Sequence, residues 1–213
     1  MSGKRLCIAV LAVTTILAVS AVGQDGKNEV GGLLGRIFIS DQGIKGANYF
    51  DPIIHHGKGL TFEANYARRV IVAPVYAISG EVVFAYDHRI KLNAGTYPIS
   101  VVPQSEKAYF LTPAARVNLF PTTAVSPWIS FGAGFGHFSQ YKTLLYGGAN
   151  PGKSTTSAVV EGGIGLDVRV WHKLSIRGEA RDFWSGEPDY PLAPTGKTRQ
   201  HNYFVGGGAF WRF

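Results

Sequence analysis

The chain has 213 residues, with 21 Lys and Arg against 14 Asp and Glu, a net charge of +7 and one cysteine. That length suits a single domain, the scattered cations speak against a nucleic-acid partner, and one cysteine permits no internal disulfide. With 27 glycines, 13% aromatic residues and few helix-forming runs, the composition favours an all-β chain of strands and turns.

Residues 1–23 read as a secretory signal peptide. Lys4 and Arg5 precede an apolar run over 6–21, and small residues from Ala21 to Gly23 lead into polar Gln24. The run is only marginally long for a bilayer helix and contains Thr14, Thr15 and Ser20, so cleavage near Ala21 or Gly23 is expected rather than an anchor. Cys7 would leave with it. Residues 24–213 form the remaining domain, and they contain no apolar stretch long enough to cross a membrane as a helix.

Period-two alternation between Gly-, Pro-, Asn- and Ser-rich breaks predicts eight strands. They lie near 32–39, 59–67, 78–87, 108–119, 128–138, 157–170, 174–184 and 202–213. The third is the least regular, because 70–76 before it is apolar without alternation. Long polar connections follow the odd strands, at 40–58, 88–107, 139–156 and 185–201, and short ones follow the even strands, the tightest being Trp171-His172-Lys173. Transmembrane barrels have this asymmetry of loops and turns. An even strand number lets the first strand pair with the last and leaves no open edge.

Charge decides which face points in. In LSIRGEARDFW, alternation puts Arg177, Glu179 and Arg181 on one face and Leu174, Ile176, Gly178 and Ala180 on the other. Turning that strand over would face two arginines to lipid, at roughly 2–4 kcal/mol each at the midplane. Glu161, Asp167 and Arg169 follow the same rule, as do Thr112, Arg116 and Asn118; Arg36, Glu63 and Glu81 are assigned inward with them. These charges predict a hydrogen-bonded ion network filling a narrow lumen, with inward glycines at 132, 134, 136, 163 and 165 making room. Tyr86, Tyr109, Phe135, Trp184 and Tyr203 then fall near one interface and Tyr66, Trp211 and Phe213 near the other. A soluble barrel would reverse the faces; the aromatic ends of the final strand favour the membrane version.

With these patterns the chain resembles the small outer-membrane barrels of Gram-negative bacteria, the eight-stranded OmpA/OmpX-type group. Gly208, Trp211 and Phe213 match the terminal-strand signature of that group, although Gly206 stands where a polar residue is usual; PWISFGAGFG and RGEARDF look like segments of such barrels. The resemblance implies an antiparallel up-and-down transmembrane barrel and export to the outer membrane. It also implies delivery by the barrel-insertion machinery, and contact with outer-membrane lipids and lipopolysaccharide. No separate peptidoglycan-binding domain is expected to follow.

Gly147 to Ser154 satisfies the G-x-x-x-x-G-K-[ST] expression, but phosphate binding needs a helix to follow, and here the strand-like TSAVVEGG follows. His137 and Ser139 share an outward face and resemble the His-x-Ser of outer-membrane lipid A deacylases, yet Gln140-Tyr141 replaces the expected Asn-Ala. No acid stands at the neighbouring outward positions Thr156, Ala158 and Val160 to orient the imidazole. His55 and His56 read as a solvated loop pair, and His88, His172 and His201 as isolated. Asp41, Asp51, Asp87, Glu187 and Asp189 lie in or beside loops where divalent cations could visit, without calcium-loop spacing. The expectation is therefore a monomeric, cofactor-free, non-enzymatic barrel with a structural or surface-interaction role. The alternatives are a small channel for polar or amphipathic solutes and, third, a lipid-modifying hydrolase using His137 and Ser139.

Overall fold

The computed structural model describes residues 26–46, 53–94, 102–145, 147–152 and 154–213; the expected signal peptide lies outside them. Eleven strands follow in order: β1 (Asn28–Ile39), β2 (Gln42–Gly43), β3 (Ile53–His56), β4 (Gly59–Val72), β5 (Tyr76–Ala94), β6 (Ser105–Leu119), β7 (Val125–Gln140), β8 (Thr155–Arg169), β9 (Leu174–Gly186), β10 (Arg199–Gln200) and β11 (Asn202–Arg212). Eight of them, β1, β4 to β9 and β11, form one antiparallel ring of neighbours. The ring closes where β1 pairs with β11. At that joint Asn28 N donates to Phe213 O at 2.9 Å and Phe213 N donates to Asn28 O at 2.8 Å. The barrel therefore has the eight-stranded up-and-down topology that the alternation predicts, and closure removes the sheet edge.

The alternation that sets the register is visible strand by strand. Along β4, Gly59, Thr61, Glu63, Asn65 and Ala67 are buried, whereas Leu60 and Phe62 are exposed. A one-residue slip would exchange the two sets. The same inversion of ordinary polarity runs round the barrel: Leu60 and Phe131 are each 69% exposed, while Arg116, Arg177 and Arg181 are almost fully buried.

The strands outrun the expected boundaries. A bilayer needs about 9–11 tilted residues, but β5 has 19. The apolar stretch 70–76 that alternation could not place comprises the end of β4, a three-residue turn and the first residue of β5. At the end away from the chain termini, β5 continues beyond the barrel and pairs with β3, which pairs with β2. This second small sheet forms a cap whose core includes Ile54, Ile90, Leu92, Val102 and Tyr190.

The β1–β11 joint is built on glycine. Gly35 lies opposite Gly206, Leu33 opposite Gly208 and Leu34 opposite Gly207. A Cβ on Gly208 would sit 1.9 Å from Gly32 O; one on Gly31 would strike the Phe210 ring at 2.4 Å, and one on Gly35 the Phe204 ring at 2.6 Å. The backbones approach closely there, and two phenyl rings of β11 lie over the glycines of β1.

Candidate functional site

Two clusters occupy the interior. The first lies in the half nearest the termini and is organised by arginines. Arg181 on β9 meets Glu179 at 2.6 Å, Glu161 at 2.7 Å, Glu81 at 3.0 Å and Glu63 at 3.5 Å. Arg177 grips Asp167 through both Nε (2.6 Å) and Nη2 (2.9 Å), a two-point geometry that fixes orientation as well as charge. Glu29 links three strands, accepting from Arg116 and Arg177 at 2.7 Å each and from Arg212 at 3.1 Å. The Trp128 indole lies among the cations, with the guanidinium carbons of Arg116, Arg177 and Arg181 at 5.7, 5.1 and 5.0 Å from its ring centre. Its Nε1–H donates to Asp167 at 3.2 Å. Gly165 makes room for that ring, since a Cβ there would lie 2.4 Å from it.

Eight of the ten charged residues assigned inward from the sequence thus meet in one buried network: Glu63, Glu81, Arg116, Glu161, Asp167, Arg177, Glu179 and Arg181. Arg169 is inward but half-buried at the turn end of β8, donating to Pro121 O at 2.9 Å. Arg36 is a correction. It is exposed on the outer face of β1, because Leu33 and Ile37 take the buried phase. Glu29 and Arg212 belong to the network and were not assigned to it; Glu29 precedes the expected start of the first strand by three residues.

Toward the cap the interior turns apolar. Phe110 stacks on Phe183 with ring centres 4.8 Å apart and meets Phe138 edge-on at 5.7 Å; all three are buried. Beyond this layer, at the loop end of the interior, the second cluster lies beneath the cap, with Glu106 in the inward phase of β6. Tyr190 donates its hydroxyl to Glu106 at 2.8 Å. Both His56 Nε2 (3.5 Å from the Tyr190 hydroxyl) and Glu106 Oε1 (3.9 Å from His56 Nε2) sit at its edge. Burial pushes the Glu106 carboxyl up to about 7, partly opposed by the Tyr190 hydrogen bond. Burial holds the His56 imidazole down at about 4, against the pull of Asp41. The His56 side chain is thus buried beside Glu106 with its imidazole uncharged near neutrality, and His55 and His56 are not the solvated loop pair expected. His55 remains partly exposed, 2.8 Å from Asp41.

The other sequence candidates are simply placed. His137 Nδ1 lies 2.7 Å from Thr156 Oγ1, and its ring stacks on Tyr109 at 5.0 Å. Among the described residues it has no carboxylate partner, and Ser139 is exposed beyond it. The segment after Gly147 and Gly148 leads into β8 and not into a helix. Gly208 faces the barrel interior at the β1–β11 joint, whereas Trp211 is exposed outward. Among the described residues no group of His, Cys, Asp and Glu has the arrangement of a metal site.

No protein-family model matches the chain, and no curated protein matches it in sequence. Solved structures do. Neisserial surface protein A is similar with a TM-score of 0.56 and 11% identity, over 87% of this chain and 97% of that one. The outer membrane protein OprG from Pseudomonas aeruginosa is similar with a TM-score of 0.56 and 12% identity, over 89% and 97%. AlkL, another outer membrane protein, gives 0.51 and 13% over 91% and 93%. The likeness is one of fold: that of small eight-stranded outer-membrane barrels.

Proposed function

We propose that the protein is an outer-membrane barrel with a structural or surface-interaction role, its lumen filled by side chains and its cap facing outward. The inverted polarity carries this reading. A belt including Leu34, Leu60, Ile129, Phe131, Ile164 and Ile176 is exposed, and the network of arginines and acids is sealed within. In water that belt would be a large contiguous apolar surface; in a bilayer it is the wall that hydrocarbon requires. The buried charged layer and the Phe110–Phe183 layer above it place side chains across the interior at two levels, which supports a plug over a conduit.

On this reading residues 1–23 are removed on export and 24–213 insert as a monomer. Gly208, Trp211 and Phe213 serve as the label read by the barrel-insertion machinery. The immediate partners are outer-membrane lipids and lipopolysaccharide. The test has two parts. Outer-membrane fractions from producing cells should contain a band whose migration on a denaturing gel shifts with heating, as closed barrels do. Purified protein in planar bilayers should give no stable single-channel steps. Reproducible steps would overturn the plugged lumen, and absence of the band would overturn the location.

A further inference from the structure

We propose that the outer wall at the capped ends of β1, β4 and β5 binds the phosphorylated headgroup of an acylated lipid, with Arg36, Lys58, Arg89 and Lys91 as phosphate ligands. The inference rests on the outer-membrane reading and starts from the misassigned arginine. Arg36 projects from the apolar belt, directly opposite Leu60 on β4 and Val205 on β11. A lipid-facing arginine is tolerated only near the interface, where it can reach polar or anionic groups. Among the described residues no carboxylate pairs with Arg36, Lys58, Arg89 or Lys91.

The surroundings extend that charge into a site. Lys58 stands one outward position beyond Leu60, its ammonium 5.3 Å over the Phe38 ring. A concavity of about 340 Å³ beside it is lined by Lys58, Leu60, His88, Arg89 and Lys91. The β4–β5–β6 register supplies the reason: a bulge between Asp87 and Ile90 leaves His88 and Arg89, two consecutive residues, both exposed. The nearby acid is turned away. Asp87 is buried, accepts from Thr61 at 3.0 Å and from the Arg89 amide at 2.9 Å, and is packed against Gly59, whose missing Cβ leaves it space.

Among the described residues the result is unopposed positive charge directly above exposed Leu34, Leu60 and Phe62, the arrangement that phosphates carried above acyl chains would match. On the β9 and β11 side two such groups already have partners, with His201 on Asp182 at 2.7 Å and Arg199 over the Trp184 ring at 4.7 Å.

The experiment uses the barrel folded in detergent micelles. Retained lipid is measured by native mass spectrometry with three probes: bisphosphorylated lipid A, the same lipid dephosphorylated, and inorganic phosphate. The parent should retain the phosphorylated lipid roughly tenfold better than the dephosphorylated one, and millimolar inorganic phosphate should not displace it. The variant Arg36→Gln/Lys58→Gln/Arg89→Gln/Lys91→Gln should lose that preference, whereas Lys173→Gln at the opposite end should keep it. If the fourfold variant does not fold, Lys58→Gln/Lys91→Gln should still lower retention roughly threefold. Equal retention of both lipids, a variant that binds like the parent, or displacement by free phosphate would each overturn the proposal. A parent that never forms a heat-shifted barrel would instead refute the membrane reading beneath it.

Discussion

Replacing Arg181 by Met tests the interior network where it is most concentrated. Met fills most of the aliphatic stem, so little of the loss would come from a cavity. What disappears is the cation shared by Glu179, Glu161, Glu81 and Glu63, all within 3.5 Å of it. Removing one partner of a buried ion pair costs about 3–5 kcal/mol because the remaining charge has no compensation. With four carboxylates converging, Arg181→Met belongs at the upper end of that range, less whatever proton uptake relieves. For a denaturation slope of about 1–3 kcal/mol per molar urea, the unfolding midpoint should fall by roughly 2–5 M. The assay is a urea titration of barrel in lipid vesicles at neutral pH, scored by the fraction that keeps its heat-shifted migration. Arg181→Met/Glu81→Gln/Glu161→Gln should recover part of the loss by removing two of the stranded charges. A single variant within about 1 kcal/mol of the parent would show that the carboxylates are relieved by some other means, and that Arg181 does not hold the interior together.

Ile176→Arg places a charge on the outward face of β9, where the isoleucine is 53% exposed; it should cost about 2–4 kcal/mol in the same titration, and an undisturbed barrel would refute the facing. Gly208→Val should abolish heat-shifted folding because its side chain collides with the β1 backbone, whereas Gly207→Ala, whose nearest neighbour would be Arg177 O at 3.5 Å, should fold normally. The cap should show a concealed pH dependence, read as hydrogen-exchange protection of β2 and β3. Glu106 is raised from 4.5 to about 7, so its contribution is full below 4.5 and lost as pH rises toward 7. His56 is lowered from 6.5 to about 4, so its contribution is full above 6.5 and lost as pH falls toward 4. Between 4.5 and 6.5 the two slopes oppose and the parent should be nearly flat. Glu106→Gln should make protection rise with pH by about 1.4 kcal/mol per unit, and His56→Gln should make it fall; profiles as flat as the parent would refute this assignment.

The barrel was legible where the two faces differ chemically. LSIRGEARDFW admits one orientation only, because the alternative exposes Arg177 and Arg181, and the structure buries both. Strand β1 was not legible in that way. In GGLLGRIFI both phases carry apolar residues, Leu33 and Ile37 on one and Leu34 and Phe38 on the other, so only the single charge distinguishes them. On the outer-membrane reading Arg36 lies near the interface, where its charge carries little weight. The cap was hidden for another reason. The pairing of β3 with the far end of β5 joins residues about forty positions apart across segments that read as loops, and nothing in their local alternation announces it. Without that sheet His56 has no reason to be buried, and Glu106 no reason to have a partner. The charged half of the interior could be read from strand periodicity, but its assembly around Glu29 could not.

The glycines of β1 acquire a different meaning from the joint they form. Gly31 and Gly35 are sockets. Phe210 and Phe204, both from β11, lie across them, and the Arg177 guanidinium covers Phe210 at 3.8 Å from its ring centre. The fastening of the ring is therefore carried by the arriving strand, and β1 contributes by leaving space. A larger residue at Gly31 or Gly35 would still let β1 pair with β4 and would still leave an intact sheet of seven or eight strands. What it would remove is the landing place for the two rings. Such a molecule would be correct in every strand and remain an open ribbon, so the difference between sheet and barrel rests on side chains that are absent.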